Sequence, residues 1–97
     1  MLKFSWDESK NQTNIKKHGI SFEEACSVFY DDDALIISDG AHSQNEERFV
    51  MIGFSYKFNL LVVCHYYRQN ETIIRIISAR KATKKESKEY LNNEERI

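Results

Sequence analysis

Three apolar runs set close together constrain this chain more than any other feature. ERFVMIGFS from Glu47, LLVVCHYY from Leu60 and TIIRIIS from Thr72 are rich in β-branched and aromatic residues, as strands are. The connections at Tyr56 to Asn59 and at Arg68 to Glu71 have the length and polarity of hairpin turns. A fourth run, ALIIS from Ala34, precedes them across a longer polar loop, Asp39 to Glu46, that contains Gly40 and His42. The expectation is an antiparallel meander. No proline, repeat or linker interrupts it, so residues 1–97 are read as one domain.

Before the strands the pattern is helical. Phe4 and Trp6 flank Ser5 in a short opening strand, and Asp7 is placed to cap a helix running through Lys17 to Gly19, a left-handed stop. That helix offers mainly Ile15 for burial, while Lys10, Lys16, Lys17 and His18 read as a solvated face able to meet phosphates. Ser21 with Glu24 suggests a capping box for a second helix, whose Phe22, Ala25, Cys26 and Phe29 follow the spacing of a buried stripe. Asp31, Asp32 and Asp33 then end it. Adjacent acids in a turn are explained by solvation, so they are not read as a metal site.

After the last strand the chemistry changes abruptly. Strict alternation puts Ile74, Ile76 and Ser78 on one side and Ile73, Arg75 and Ile77 on the other, which makes Arg75 an isolated cation in an apolar strand. Arg80, Lys81, Lys84, Lys85 and Lys88 follow, and Thr83 with Glu86 marks the capped start of a C-terminal helix that carries Tyr90. A helix start ringed by cations suits anions.

The fold class expected is therefore α+β: two N-terminal helices packed on a four- to five-stranded, mainly antiparallel sheet, with a C-terminal helix. Hydrophobic residues at 41% and charged residues at 30% describe a globular chain, not a disordered one. A formal charge of −1 conceals a division, with five Lys and Arg against ten Asp and Glu in residues 1–50 and nine against five thereafter. Such a chain can offer a basic face to nucleic acid. The apolar runs are far shorter than a membrane span, and the N-terminus does not read as a secretion signal, so the cytoplasm and reduced thiols at Cys26 and Cys64 are expected. His18, His42 and His65 lack zinc-ligand spacing, and glycine-rich phosphate loops are absent, so no metal and no cofactor are expected.

What remains is a polar set on or near the sheet: Arg48, Lys57, His65, Arg75, Ser78, Arg80, Lys81, Glu86 and Tyr90. Metal-free RNA cleavage needs a base, cations on the phosphate and an acid for the leaving oxygen. Arginine suits the second task because its fork holds two phosphate oxygens. His65 follows Leu61 and Val63 on its strand, and it meets Arg75 only if the two sides coincide.

FSWDESK with Asn14, KHGISFEEACSVFYDD, EERFVMIG, LLVVCHYYR and RIISARKATKKESKEY, in that order, resemble the BrnT family of bacterial type II toxins. The resemblance implies a RelE-like fold and an endoribonuclease that cuts mRNA, leaves a 2′,3′-cyclic phosphate and arrests translation. It implies a BrnA-like antitoxin, a small DNA-binding protein, as the partner in a hetero-oligomer, covering the basic side. The ribosome is a further partner to be tested. Carried onto this chain, Arg75, Arg80 and Lys81 would stabilise the phosphate, His65 or Glu86 would move protons, and Tyr90 would stack a base or donate a proton. Arg48, Lys57, Ser78, Lys84, Lys85 and Lys88 would contact RNA. Ser87 and Tyr66 depart from the family's usual residues, in phosphate binding and base stacking respectively. The rival reading is a non-catalytic module that binds RNA or protein through the same basic surface and through Phe54, Tyr56, Phe58, Tyr66 and Tyr67.

Overall fold

The computed structural model describes residues 1–39 and 46–95, with side chains as far as Asn92, so Gly40 and His42 of the expected loop lie outside it. Along the chain come β1 (Lys3–Ser5), α1 (Glu8–His18), α2 (Phe22–Ser27), a 3-10 turn (Val28–Tyr30), β2 (Leu35–Ser38), β3 (Arg48–Phe54), β4 (Leu60–Arg68), β5 (Ile73–Lys81) and α3 (Lys84–Glu95). The strands form one five-stranded sheet in the order β1-β5-β4-β3-β2. The expected meander from β2 to β5 is antiparallel throughout, whereas β1 joins parallel to β5, so the sheet is mixed.

α1, α2 and the 3-10 turn cover one face. Ile20, Phe22, Ala25 and Val28 pack there against Met51, Leu61, Val63, Ile74, Ile76 and Ala79, each larger side chain contributing roughly 2 kcal/mol by leaving water. The expected stripe of the second helix is thus in the core, but only half of that helix's expected capping box forms. Ser21 does accept from the Glu24 amide at 3.0 Å. The Glu24 carboxylate goes elsewhere, buried and accepting from Ser55 Oγ at 2.7 Å and Asn59 Nδ2 at 2.8 Å, so it staples the β3–β4 turn to α2.

α1 begins at Asp7, whose carboxylate accepts from the Lys10 amide, and ends at left-handed Gly19. It is not anchored by Ile15, which is exposed. Two buried asparagines hold it instead. Asn11 accepts from the Phe22 amide at 2.8 Å. Asn14 donates to the carbonyls of Ile20 and Ala79, both at 2.8 Å, and accepts from the Ala79 amide at 3.2 Å. Beyond Arg75, β5 has lost its pairing with β1, and Asn14 supplies both bonds that a neighbouring strand would have made at Ala79.

On the opposite face a smaller cluster forms where Tyr90 of α3 packs on Ile52 and Val62. The Tyr90 hydroxyl donates to Asp31 Oδ2 at 2.8 Å, and the same oxygen accepts from the Phe54 amide at 2.8 Å. Asp31 Oδ1 accepts from the Asp33 amide at 3.0 Å, so the first residue of the acidic run is a structural hub for its own turn, the end of β3 and α3.

Candidate nucleic-acid interface

A single irregularity in β5 decides which side chains share the face that α3 leaves uncovered. His65 pairs with Ile76 but Cys64 pairs with Ser78, leaving Ile77 as the extra residue of a β-bulge. Regular alternation fails at that point. Ile74 and Ile76 are joined in the core by Ala79, not by Ser78, while Arg75, opposite Tyr66, falls on the same face as Ser78, opposite Cys64, and Arg80, opposite Val62. Arg48 of β3 pairs with Tyr66 on that face too.

Two hollows occupy this face side by side. One, of about 290 Å³, is lined by Asp39, Arg48, Val50, Val62, Cys64, Ile77, Ser78 and Arg80. The other, of about 220 Å³, is lined by Tyr66 and Arg75 with Asp7, Lys10, Glu46, Arg48, Ile76 and Ile77. A third hollow of about 230 Å³ continues the band onto α1, between Ile77 and Ser78 and the side chains of Lys10, Thr13, Asn14, Lys17 and His18. Those α1 residues stand one turn apart, so the solvated face read from the sequence borders the sheet groove. A helix almost without an apolar stripe was the signal for it.

The arginines differ in how they are held. Arg48 donates through Nε and Nη2 to Glu46, both at 3.3 Å. Arg75 has no ion pair among the described residues. Arg80 meets Glu86 end-on, Nη1 to Oε1 and Nη2 to Oε2, both at 2.8 Å. Glu86 Oε1 also accepts from the Thr83 amide, and Thr83 Oγ1 accepts in return from the Glu86 amide, which is the capping box expected from the sequence. Arg80 beside it holds the Glu86 carboxyl down at about 2, with the Thr83 bonds adding to the effect against partial burial. So acidic a group is a weak base. The end-on pairing leaves Nε of Arg80 outside the ion pair, and Arg80 lines the first of the hollows.

Other expected site residues lie apart from the groove. His65 is fully buried on the core face, 0% exposed, against Phe29, Phe49 and Tyr67, with ring centroids 4.8, 6.0 and 5.4 Å away. Burial pushes its pKa down, and Nε2 has no partner among the described residues. The sides of His65 and Arg75 therefore do not coincide, and His65 has no exposed surface on the groove side. Tyr90 is 3% exposed, with its ring packed on Ile52 and Val62 and its hydroxyl tied to Asp31, so it anchors α3 and lies apart from the groove. Lys81 pairs with Leu61 and points away from Arg80. Lys57 sits in the β3–β4 turn, its Nζ 5.7 Å from the Tyr56 ring centroid. Lys84, Lys85 and Lys88 are exposed on α3 and line none of the three hollows. Cys64 lines the groove as a free thiol that burial pushes up, and Cys26 is pushed up to about 12 for the same reason, so neither is activated.

Residues 6–86 match the family of the ribonuclease toxin BrnT of type II toxin-antitoxin systems. The chain belongs to the BrnT family. A crystal structure of the Brucella abortus ribonuclease toxin BrnT is similar to it, with a TM-score of 0.65 and 26% sequence identity over 87% of this chain and 100% of that one. No curated protein matches. The BrnT match runs from Trp6 to Glu86, so it takes in all of Arg48, Arg75, Ser78 and Arg80 and closes on the carboxylate that holds Arg80. Membership makes this a toxin-family chain described as a ribonuclease, for which RNA is the substrate and an antitoxin the partner. Among the described residues no helix is long and apolar enough to cross a membrane.

Proposed function

We propose that the uncovered sheet face is the active site of a metal-independent endoribonuclease that cuts mRNA in the cytoplasm and arrests translation. The observation that carries this reading is the bulge at Ile77, which gathers Arg75, Ser78 and Arg80 with Arg48 on one uncovered face. Arg75 and the Nε side of Arg80 hold the scissile phosphate, and their charge stabilises the extra negative charge that builds on phosphorus. Tyr66, half-buried between Arg48 and Arg75, offers a ring for a base to stack on. Lys10 and Lys17 extend the phosphate track along α1.

The 2′-oxygen attacks phosphorus while its proton leaves, the bond to the 5′-oxygen breaks, and that oxygen takes up a proton, giving a 2′,3′-cyclic phosphate. With His65 in the core, His18 is the histidine that borders the groove among the described residues, and we assign proton transfer to it. Glu86 positions Arg80. A BrnA-like antitoxin neutralises the enzyme by closing this face.

The test is cleavage of a labelled RNA in EDTA, with product ends identified. Wild type is expected to leave 2′,3′-cyclic phosphate ends, Arg75→Ala to lose at least about a hundredfold in rate as a single lost oxyanion contact does, and His65→Phe to cleave like wild type. Full activity in folded Arg75→Ala sinks the assignment. RNA binding without cleavage by the wild type, in translating extract as well as in buffer, favours the non-catalytic module instead.

A further inference from the structure

Ten large apolar side chains are exposed among the described residues; four of them, Tyr30, Phe54, Tyr56 and Phe58, meet at one hollow, and two more, Ile36 and Ile37, stand on β2. Tyr30, Phe54, Tyr56 and Phe58 line a hollow of about 460 Å³ over Asp31 at the β3–β4 turn. From there the acidic run leads into β2, whose Leu35 pairs with Ile52, two residues before Phe54. The strip is built, not frayed. The turn is tied to the body by buried Glu24 through Ser55 and Asn59, and by the Tyr56 amide donating to Ser27 Oγ at 3.0 Å. It holds Phe58 in the left-handed region at φ 60° with 86% of its surface exposed. An aromatic residue fixed there loses on backbone strain and on hydration, with no packing in return.

β2 is the edge of the sheet. The Asp39 amide donates to the Arg48 carbonyl at 2.7 Å, which fixes the phase of the ladder: Leu35 and Ile37 turn their backbone groups to β3, and Ile36 and Ser38 turn theirs outward. No strand of the described residues pairs with that outer edge, and neither a lysine nor a proline guards it.

We infer that β2 and the aromatic hollow beside it form a docking surface for an extended segment of a partner protein, which adds a strand to the sheet edge. The segment carries alternating β-branched residues over Ile36 and Ile37, Lys or Arg against Asp32 and Asp33, and an aromatic or aliphatic anchor in the Phe54–Phe58 hollow. The acidic run at the centre of the strip repels phosphate, so RNA does not fit it. A second copy of this chain paired with Ile36 opposite itself would set Asp33 against Asp39, a repulsion that a segment carrying Lys or Arg does not meet. Naming the partner as the antitoxin rests on the toxin reading. Ile37 shares its face with Val50 at the margin of the cationic groove, so a segment anchored here is placed to continue across Arg48.

The test uses the full chain and separately purified antitoxin, with binding measured by calorimetry and RNA cleavage assayed on the same preparations. Ser38→Pro removes an outward N–H without touching the ladder to β3, Phe58→Ser removes the exposed ring, and Leu91→Ser is an exposed apolar control on α3. Each of the first two is expected to weaken antitoxin binding by roughly tenfold or more, the control to leave it unchanged, and all three to cleave RNA as the unbound wild type does. Wild-type affinity in both variants overturns the proposal. So does a dimer that Ser38→Pro dissociates in sedimentation, or a loss of RNA binding in Phe58→Ser with antitoxin binding intact. Antitoxin binding that depends on the strip, by a chain that never cleaves RNA, supports the surface and sinks the ribonuclease reading alone.

Discussion

His65 illustrates how much one residue's meaning depends on which way its strand faces. A histidine beside a cationic run has the chemistry of a general base, yet here it is a core residue in an aromatic box, held neutral by burial. Because its folded-state pKa lies below the ordinary value of 6.5, the unfolded chain takes up the proton first as pH falls. Its contribution to stability is therefore complete above that value and is lost as pH drops through and below it. Urea unfolding of wild type should show stability declining from about pH 7 towards pH 5, and in His65→Phe, which leaves no buried nitrogen to charge, this decline should be absent. His65→Ala should cost about 3 kcal/mol at neutral pH through the cavity it leaves, and an unchanged midpoint would place the ring in solvent. Glu86 has the same sign in a lower window: its stabilising pairing with Arg80 is complete above the ordinary carboxylate value of 4.5 and is lost as pH falls from there toward about 2.

At the scale of elements, the strands, their short turns and the Phe22-to-Phe29 stripe were legible because period and turn length are local properties. α1 was legible in extent but not in attachment. Asn11 and Asn14 look like surface residues of a polar helix, and only the distant Ala79, left without a strand neighbour, gives Asn14 its task. Asn14→Ala strands a buried N–H and C=O together and should destabilise by about 2 to 3 kcal/mol. Asn14→Asp keeps the acceptor for the Ala79 amide but sets a buried carboxylate oxygen against the carbonyls of Ile20 and Ala79, so it should destabilise at least as much. Thermal or urea midpoints of the two variants check this, and equal, negligible losses would mean that water replaces Asn14. The one parallel pairing, β1 with β5, was also beyond the pattern, since a three-residue strand carries no signal of which neighbour it takes.

Across the whole molecule, sheet sidedness separates stability from chemistry: one face is sealed under α1 and α2, the other presents the arginines. The sequence divides its charge between halves, and the fold keeps part of that division, with the acidic run on the aromatic border and Arg48, Arg75 and Arg80 in the groove. Binding of a single-stranded RNA should therefore weaken with salt, with a log–log slope of about −0.7 for each phosphate neutralised. Arg75→Ala should make that slope shallower by about 0.7, while Lys57→Ala, at the far turn, should leave it alone. Equal slopes for wild type and Arg75→Ala would take Arg75 off the phosphate track. The members of the groove were visible in the sequence as residue types, but their assembly was not, because alternation puts positions five apart on opposite faces. Arg75 and Arg80 stand together only through the unpaired Ile77. The interface is thus written in a count as well as in an alphabet. Removing one apolar residue, with every arginine kept, would shift the strand's frame and turn half of the groove into the core.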